Sequence, residues 1–464
     1  MKRTSVFFAM AAAGLFANAA MALPTARDRV YTADQNSNTV SVINPATNML
    51  VGQIRLGNER PDLLSPLYKG QINVHGMGFS PDHKTLIVVS NGSNSVTFID
   101  TATNRVKGTT YIGRSPHEGF FTADGKEVWV VVRGEDYISV IDPNTYKETR
   151  RIQTDLGPGM VIFPPDGKLA FVVSSFTPKV DVVDVKSHKI VKRIDVVSPF
   201  SPFLQLTPDH GEIWMTHKDV GKVTRIDTGT LKVDDVMDTG FITNHISFAT
   251  VGGKVLAYVT VGGENVVKVY TTDKPAKLVT TIPTGALPHG IWTSDDSSRI
   301  YVGLENGDAV DVIDTSSNKV VARVPVGQAP QALVFISNVV PHGDGATNLV
   351  SRVNTDPVNI PLKAVKENGR GFVVLRNLGV LDALEVNLFA LKPKTAYSVY
   401  LDGTKSVAAS FMTDESGKAA GTMIGPMRRK VQPGSKARAP ENRIVVMEGS
   451  APVDVSTAAL VNAR

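Results

Sequence analysis

Cysteine is absent from the 464 residues. That excludes disulfides, thiolate metal sites, iron–sulfur clusters, covalently attached c-type haem, cysteine nucleophiles and an amino-terminal lipid anchor. Long apolar runs are also lacking. After the first 22 residues nothing reaches the ~18 uninterrupted apolar positions of a membrane-spanning helix. Charge of one sign is scarce as well: the formal net charge is +5, falling to +3 once Lys2 and Arg3 are removed. Over so long a chain this speaks against a nucleic-acid binder. No phosphate-binding Gly-x-x-x-x-Gly-Lys loop, His-Glu-x-x-His helix or Gly-x-Ser-x-Gly elbow appears in the sequence.

What is present begins with an address. Lys2 and Arg3 form a positive start, Val6 to Phe16 is apolar, and Ala20-Met21-Ala22 supplies the small residues of a cleavage site. The pattern predicts a signal peptide over 1–22, cleavage after Ala22, and a periplasmic or secreted mature chain with no transmembrane segment.

The dominant signal is a repeat of about 42 residues. An apolar-apolar-Asp strand end recurs as Val42-Ile43-Asn44, Phe98-Ile99-Asp100, Val140-Ile141-Asp142, Val182-Val183-Asp184, Arg225-Ile226-Asp227, Lys268-Val269-Tyr270 and Val312-Ile313-Asp314. A Pro-Asp or Asp-Gly turn precedes several of these, as in Ser80-Pro81-Asp82 and Pro165-Asp166-Gly167. Pro and Asp favour the entry to such a turn, and Gly accepts the positive φ at its exit. Runs such as Leu86-Ile87-Val88-Val89 and Val128-Trp129-Val130-Val131 then read as strands of period two. Four short antiparallel strands per unit predict β-propeller blades, and seven copies predict seven of them. The chain starts in a second strand (Arg29-Val30-Tyr31-Thr32) and the repeat ends in a lone first strand (Gln331 to Phe335). Pairing these two fragments closes the ring without an exposed sheet edge. One long gap leaves an insertion near 58–73, containing Arg60, Asp62 and Tyr68, placed as a loop between blades.

At these residues the chain resembles the YVTN family of exported bacterial β-propellers, relatives of surface-layer and YncE-like proteins. Gly113-Arg114-Ser115-Pro116-His117, Gly285-Ala286-Leu287-Pro288-His289 and Gly327-Gln328-Ala329-Pro330-Gln331 fit the opening phrase of the family unit. Tyr258-Val259-Thr260-Val261 and Val312-Ile313-Asp314-Thr315 fit its later phrases. The resemblance covers about 29–337 and implies the fold; propellers host enzymes, electron carriers and scaffolds alike, so it does not imply one activity.

The expected architecture is therefore all-β: a seven-bladed propeller over 23–340, a linker near Pro341 to Gly345, and a small β-sandwich-like domain over 350–464. The carboxy-terminal part shows alternating runs, such as Gly371 to Leu375 and Ala383 to Leu388. A basic stretch from Arg428 to Arg438 reads as a solvated loop. Trp129, Trp214 and Trp292 fall inside strands and read as packing, and the Asp82-His83 and Asp209-His210 pairs read as turn caps.

Propeller geometry selects the candidate site. The residues opening the seven inner strands are His75, His117, Gly159, Phe203, His245, His289 and Gln331, all at one mouth of the central channel. The turns between second and third strands add Arg133, Glu135, Asp136, His217, Asp219, Glu264, Glu305 and Asp308 to that face. Four imidazoles converging on an axis suit copper or zinc, so His75, His117, His245 and His289 are the candidate metal ligands. The arrangement is similar to that of nitrous oxide reductases, but the cysteine-rich copper domain of those enzymes is missing here. Arg114, Glu118, Arg133, His217, Glu264 and Glu305 form the candidate ligand-binding set. Two functions remain open at this stage. One is a periplasmic binding protein presenting its channel mouth to a protein partner or small ligand. The other is a metal-binding, lactonase-type or redox enzyme using the same face.

Overall fold

The computed structural model describes residues 23–57, 72–352, 357–365, 368–377, 382–401, 407–425, 444–449, 456 and 458–462. The predicted signal peptide over 1–22, most of the insertion and the basic stretch lie outside them. Seven four-stranded antiparallel sheets form the propeller. The inner strands, from blade 1 to blade 7, are Pro330–Ile336, Val74–Phe79, Pro116–Phe121, Pro158–Ile162, Leu204–Leu206, Thr243–Val251 and Pro288–Thr293. Blade 1 is the closing blade. Its inner strand comes from the end of the repeat and pairs with Arg29–Asp34, with Tyr31 opposite Val334 and Thr32 opposite Leu333. Asp34 locks this seam from inside. Its carboxylate accepts from Thr32 (2.6 Å), Thr39 (2.9 Å) and Ser41 (2.6 Å), while Ser41 accepts from the Gly327 amide at 3.0 Å.

The sequence markers have local physical causes. The acid that ends the third strand caps the next turn: Asp100 accepts from the Thr103 amide, Asp227 from Thr230 and Asp314 from Ser317, at 2.7–2.9 Å. On the first turn a Ser or Thr hydroxyl donates to an Asp two residues on, as at Ser80–Asp82 (2.6 Å) and Thr207–Asp209 (2.6 Å). These are side-chain turns that free the backbone for the strands. On the channel-mouth face, Asn94 and Asn265 in second turns accept from the Ser115 and Leu287 amides of the following connection, both at 2.8 Å. Asp308 takes the same role toward Ala329 at 2.9 Å. Each clasp ties one blade to the next.

The cores lie between blades, because alternate side chains of every strand face the neighbouring sheet. One cluster joins Phe171 and Val173 of blade 4, Trp214 and Met215 of blade 5, and Phe248 and Val259 of blade 6. Trp129 and Trp214 are fully buried, each donating its indole N–H to a Glu two residues earlier at 2.8 Å. Trp292 differs. It stands in an inner strand, half-buried, edge-on to Phe79 at 6.0 Å, and lines a depression at the far mouth of the channel.

After Ile336 the chain does not leave the ring at once. Asn104 holds the carbonyls of Gly345 (3.0 Å) and Thr347 (2.9 Å), and Val350 bridges Gln53 on the outer strand of blade 1. The linker thus climbs the outside of the ring and delivers the carboxy-terminal domain to the channel-mouth face. That domain is one eight-stranded sheet around its own core of Val373, Leu384, Val386, Tyr397 and Val446. Its edge strands, Val407–Met412 and Ala419–Gly425, meet where Gly421 faces Phe411. A Cβ at 421 would lie 2.5 Å from that ring, so glycine permits the approach. The sheet is nearly closed on itself.

Candidate functional site

The inner strands place the four histidines at equivalent depth. His75, His117 and His289 each follow, by two positions, a residue with positive φ (Asn73, Ser115 and Leu287) that turns the chain into the channel wall. Gly76 and Gly290 come next because the neighbouring inner strand is close. A Cβ there would lie 2.1 Å from the His117 carbonyl oxygen and 2.5 Å from that of Gln331. The His-Gly phrase therefore has a packing cause.

The imidazoles form two adjacent-blade pairs. Ring centroids are 4.4 Å apart for His75–His117 and 4.7 Å for His245–His289, and Phe203 stacks on His245 at 4.0 Å. All four are buried. His117 Nδ1 lies 2.6 Å from the Gly159 carbonyl and His289 Nδ1 2.9 Å from that of Gln331. A carbonyl can only accept, so Nδ1 carries the proton in both and Nε2 keeps its lone pair. His75 Nδ1 is buried without a hydrogen-bond partner. Burial holds His75, His117 and His245 well below the usual imidazole range and takes His289 to about 3, with the nearby Lys218 and Arg133 cations adding to the effect. The ring of histidines is neutral. Among the described residues no three His, Asp or Glu side chains come together as metal ligands. Two separate imidazole pairs do not fit a resident copper or zinc ion, which takes three or four donors.

The charged residues of this mouth are more telling. Arg133 (blade 3) is half-buried with its guanidinium 5.9 Å from the centre of the Phe200 ring, and Lys218 (blade 5) is half-buried beside it, its amide donating to the Phe200 carbonyl at 3.2 Å. Neither side chain has an ion pair or hydrogen bond among the described residues. Burial pushes the Lys218 ammonium down; Glu305 opposes this, while Arg133 reinforces it. Glu305 (blade 7) stands 4.0 Å from His289 Nε2, with one carboxylate oxygen buried and unpartnered.

The carboxy-terminal sheet covers one side of this mouth. Strands Arg370–Asn377 and Asp382–Phe389 alternate: Val373, Leu375, Leu384, Val386 and Leu388 face the domain's own core. Phe372, Arg376, Glu385, Asn387 and Phe389 occupy the other face, which meets the propeller. Phe389 packs edge-on against Phe241 at 5.0 Å, and Arg370 lies 3.3 Å over the same Phe241 ring. Between the two domains lies a chamber of about 190 Å³. Phe200, Lys218, Phe241, Leu287 and Glu305 line it from the propeller, and Phe372, Asn387, Phe389 and Lys418 from the sheet. A second cavity, of about 270 Å³, adjoins it at Phe241, Leu287, Phe372 and Phe389.

The remaining candidates fall elsewhere. His217 is engaged at both nitrogens, by Ser201 Oγ at 3.1 Å and Thr224 Oγ1 at 2.7 Å, inside blade 5. Glu118 is buried in the channel wall, accepting the Met77 amide at 3.2 Å, and burial pushes it up to about 8. Arg114 sits on the rim, bonded to the Gly134 carbonyl at 2.6 Å. Glu264 pairs with Lys268 at 2.8 Å. The structure thus brings Arg133, Glu305 and the four histidines to one mouth, but of the candidate ligand-binding and metal-ligating residues only Glu305 lines the chamber. Sequence reading passed over Lys218, although it stands between His217 and Asp219 in a turn already assigned to this face. It also gave no hint that the carboxy-terminal sheet would supply Phe372, Asn387 and Phe389.

The chain matches no family model and no curated protein sequence. Solved structures do resemble it. A functionally unknown protein from Desulfotomaculum acetoxidans DSM 771 aligns with a TM-score of 0.57 and 14% identity, over 67% of this chain and 99% of that one. Kuenenia stuttgartiensis hydrazine synthase aligns at 0.52 and 21%, over 57% of this chain and 90% of that chain. The dihydro-heme d1 dehydrogenase NirN in complex with DHE aligns at 0.50 and 12%, over 86% and 75%. At such identities the likeness is one of fold, and the fold is the seven-bladed β-propeller.

Proposed function

We propose that this chain is an exported propeller of the YVTN type that binds a small ligand in the chamber between its channel mouth and its carboxy-terminal sheet. The observation that carries the reading is the chamber's construction: it is walled by both domains, mixes aromatic faces with a few polar groups, and includes the Lys218 ammonium, which has no ion pair or hydrogen bond among the described residues. Ligand sites are commonly concave, mostly apolar and placed between domains, with a few oriented polar groups. The leader pattern supports export, and the repeat phrases support the family. Binding accounts for the site without chemistry: His117 and His289 are tied to wall carbonyls through Nδ1, and Glu305, the carboxylate facing His289 Nε2, stands 4.0 Å away.

The test uses the mature full-length chain and a panel of anionic, neutral and cationic small molecules, read by thermal shift. Asn387→Trp, placed on the sheet side, fills the chamber without touching a blade. Compounds that stabilise the parent protein and lose that effect in Asn387→Trp support the reading. A panel with no stabilising compound, or hits indifferent to the Trp, overturns it.

A further inference from the structure

Resting on that binding reading, we infer that the chamber takes an organic monoanion, a carboxylate carried on an apolar body, held at its charged end by Lys218 in the lining and by Arg133, which adjoins the chamber across the Phe200 ring. Three observations lead here. First, two cations stand at the mouth without an ionic partner among the described residues, and both are half-buried. A half-buried charge with no countercharge loses solvation and gains nothing in return, so such a group persists where something else supplies the opposite charge.

Second, the local balance sets the ligand's charge. Asp219 is already engaged by Ser198 Oγ at 2.5 Å, and Lys418 offsets it on the opposite wall. Glu305 offsets Lys218, so the lining sums to zero, and Arg133, outside the lining and against the Phe200 ring, adds a further positive charge. One positive charge is left over, and the histidines, being neutral, do not alter the sum.

Third, the walls beyond the charges are carbon. Phe200 carries Arg133 on its ring and also lines the chamber, so charge and aromatic surface are contiguous. Phe241, Phe372 and Phe389 close the far side. A bare inorganic anion would leave these faces wet. A carboxylate with an aromatic or aliphatic body fills them, and the planar guanidinium suits a carboxylate's two oxygens.

Calorimetric titration of the mature chain with matched acid and amide probes tests this: benzoate against benzamide, phenylacetate against phenylacetamide, cinnamate against cinnamamide. At least one acid is expected to bind about tenfold or more tightly than its amide, a ratio suited to one charge-assisted hydrogen bond. Lys218→Met and Arg133→Gln should each remove that preference, bringing acid and amide to equal affinity, and inorganic sulfate should not compete. Acids and amides binding equally, or an acid preference surviving both substitutions, overturns the anion assignment and leaves the chamber reading intact. Failure of every probe together with the whole thermal-shift panel overturns both.

Discussion

Arg376 of the carboxy-terminal sheet and Asp308 of blade 7 meet with Nη2 and Oδ1 3.3 Å apart, and neither side chain is exposed to solvent. Glu385 completes the group from Arg376's own sheet, at 2.5 Å from Nη1, and takes a hydrogen bond from Asn36 of blade 1 at 2.7 Å. Arg376 also donates to the Glu305 carbonyl at 2.6 Å. Burial works against the guanidinium charge, but Glu385 and Asp308 outweigh it and hold the group firmly protonated. This cluster fixes the sheet over the mouth and thereby makes a chamber out of an open channel end.

Removing one partner of a buried ionic group leaves the others uncompensated, at about 3–5 kcal/mol. Arg376→Ala should therefore loosen the sheet from the ring. Limited proteolysis is expected to cut near 341–352 much faster in the variant, with the released propeller staying folded. Unchanged cleavage would mean that the apolar contacts of Phe241, Phe372 and Phe389 suffice to hold the sheet.

Lys218 carries a stability penalty in the ligand-free protein, because burial disfavours its charge and the opposing pull of Glu305 does not outweigh it. Lys218→Met keeps the stem and removes the charge. Chemical denaturation should show the variant more stable by about 1 kcal/mol, the scale typical of relieving such a site. A loss of stability would show that Lys218 is structural.

Two buried groups should tilt the pH profile in opposite senses. His289 is taken to about 3 in the folded chain, first by burial and then by Lys218. Below its ordinary 6.5 the unfolded chain binds a proton that the folded chain refuses, so stability is full above 6.5 and falls toward pH 3. Glu118, raised to about 8 by burial, behaves oppositely. Between about 4.5 and 8 the unfolded chain has lost a proton that the folded chain keeps, and stability declines as pH rises. His289→Gln should flatten the acid limb and Glu118→Gln the alkaline one, both measured as denaturation midpoints against pH.

The glycines after the register histidines should tolerate nothing larger. At Gly290 a methyl would meet the Gln331 carbonyl oxygen at 2.5 Å, with the backbone of Ala332 at 3.2 Å behind it. Overpacking of this kind costs about 1–3 kcal/mol. Gly290→Ala should lower the thermal midpoint clearly, whereas Gly211→Ala, whose nearest neighbour is an Asp209 carboxylate oxygen at 3.5 Å, should leave it nearly unchanged.

Much of the propeller was legible because its devices are local. The turn caps at Asp100, Asp227 and Asp314, and the period-two strands, reside within a few residues of one another. Ring closure through Gln331 to Phe335 followed from counting strands. Of the site, the histidine register was legible for the same reason, since the repeat carries each residue to an equivalent place. The fate of each side chain was not. His217 is held within its blade by Ser201 and Thr224, and this depends on a rotamer that no spacing reveals. The role of Phe372, Asn387, Phe389 and Arg376 depends on where a linker of little regularity sets the last domain down. Alternation in those strands shows two faces, and only the docking of the sheet tells which surface the second face meets.

The claim that the propeller mouth and the carboxy-terminal sheet share one ligand is tested most directly by amide hydrogen exchange of residues 23–464 with and without the tightest-binding acid. Protection should rise together around Phe200 and Lys218 in blade 5, around Phe241 in blade 6, and around Asn387 in the sheet, and should not rise around Gln205 and Trp292 at the far mouth. Protection confined to one domain, or centred on the far mouth, would contradict it.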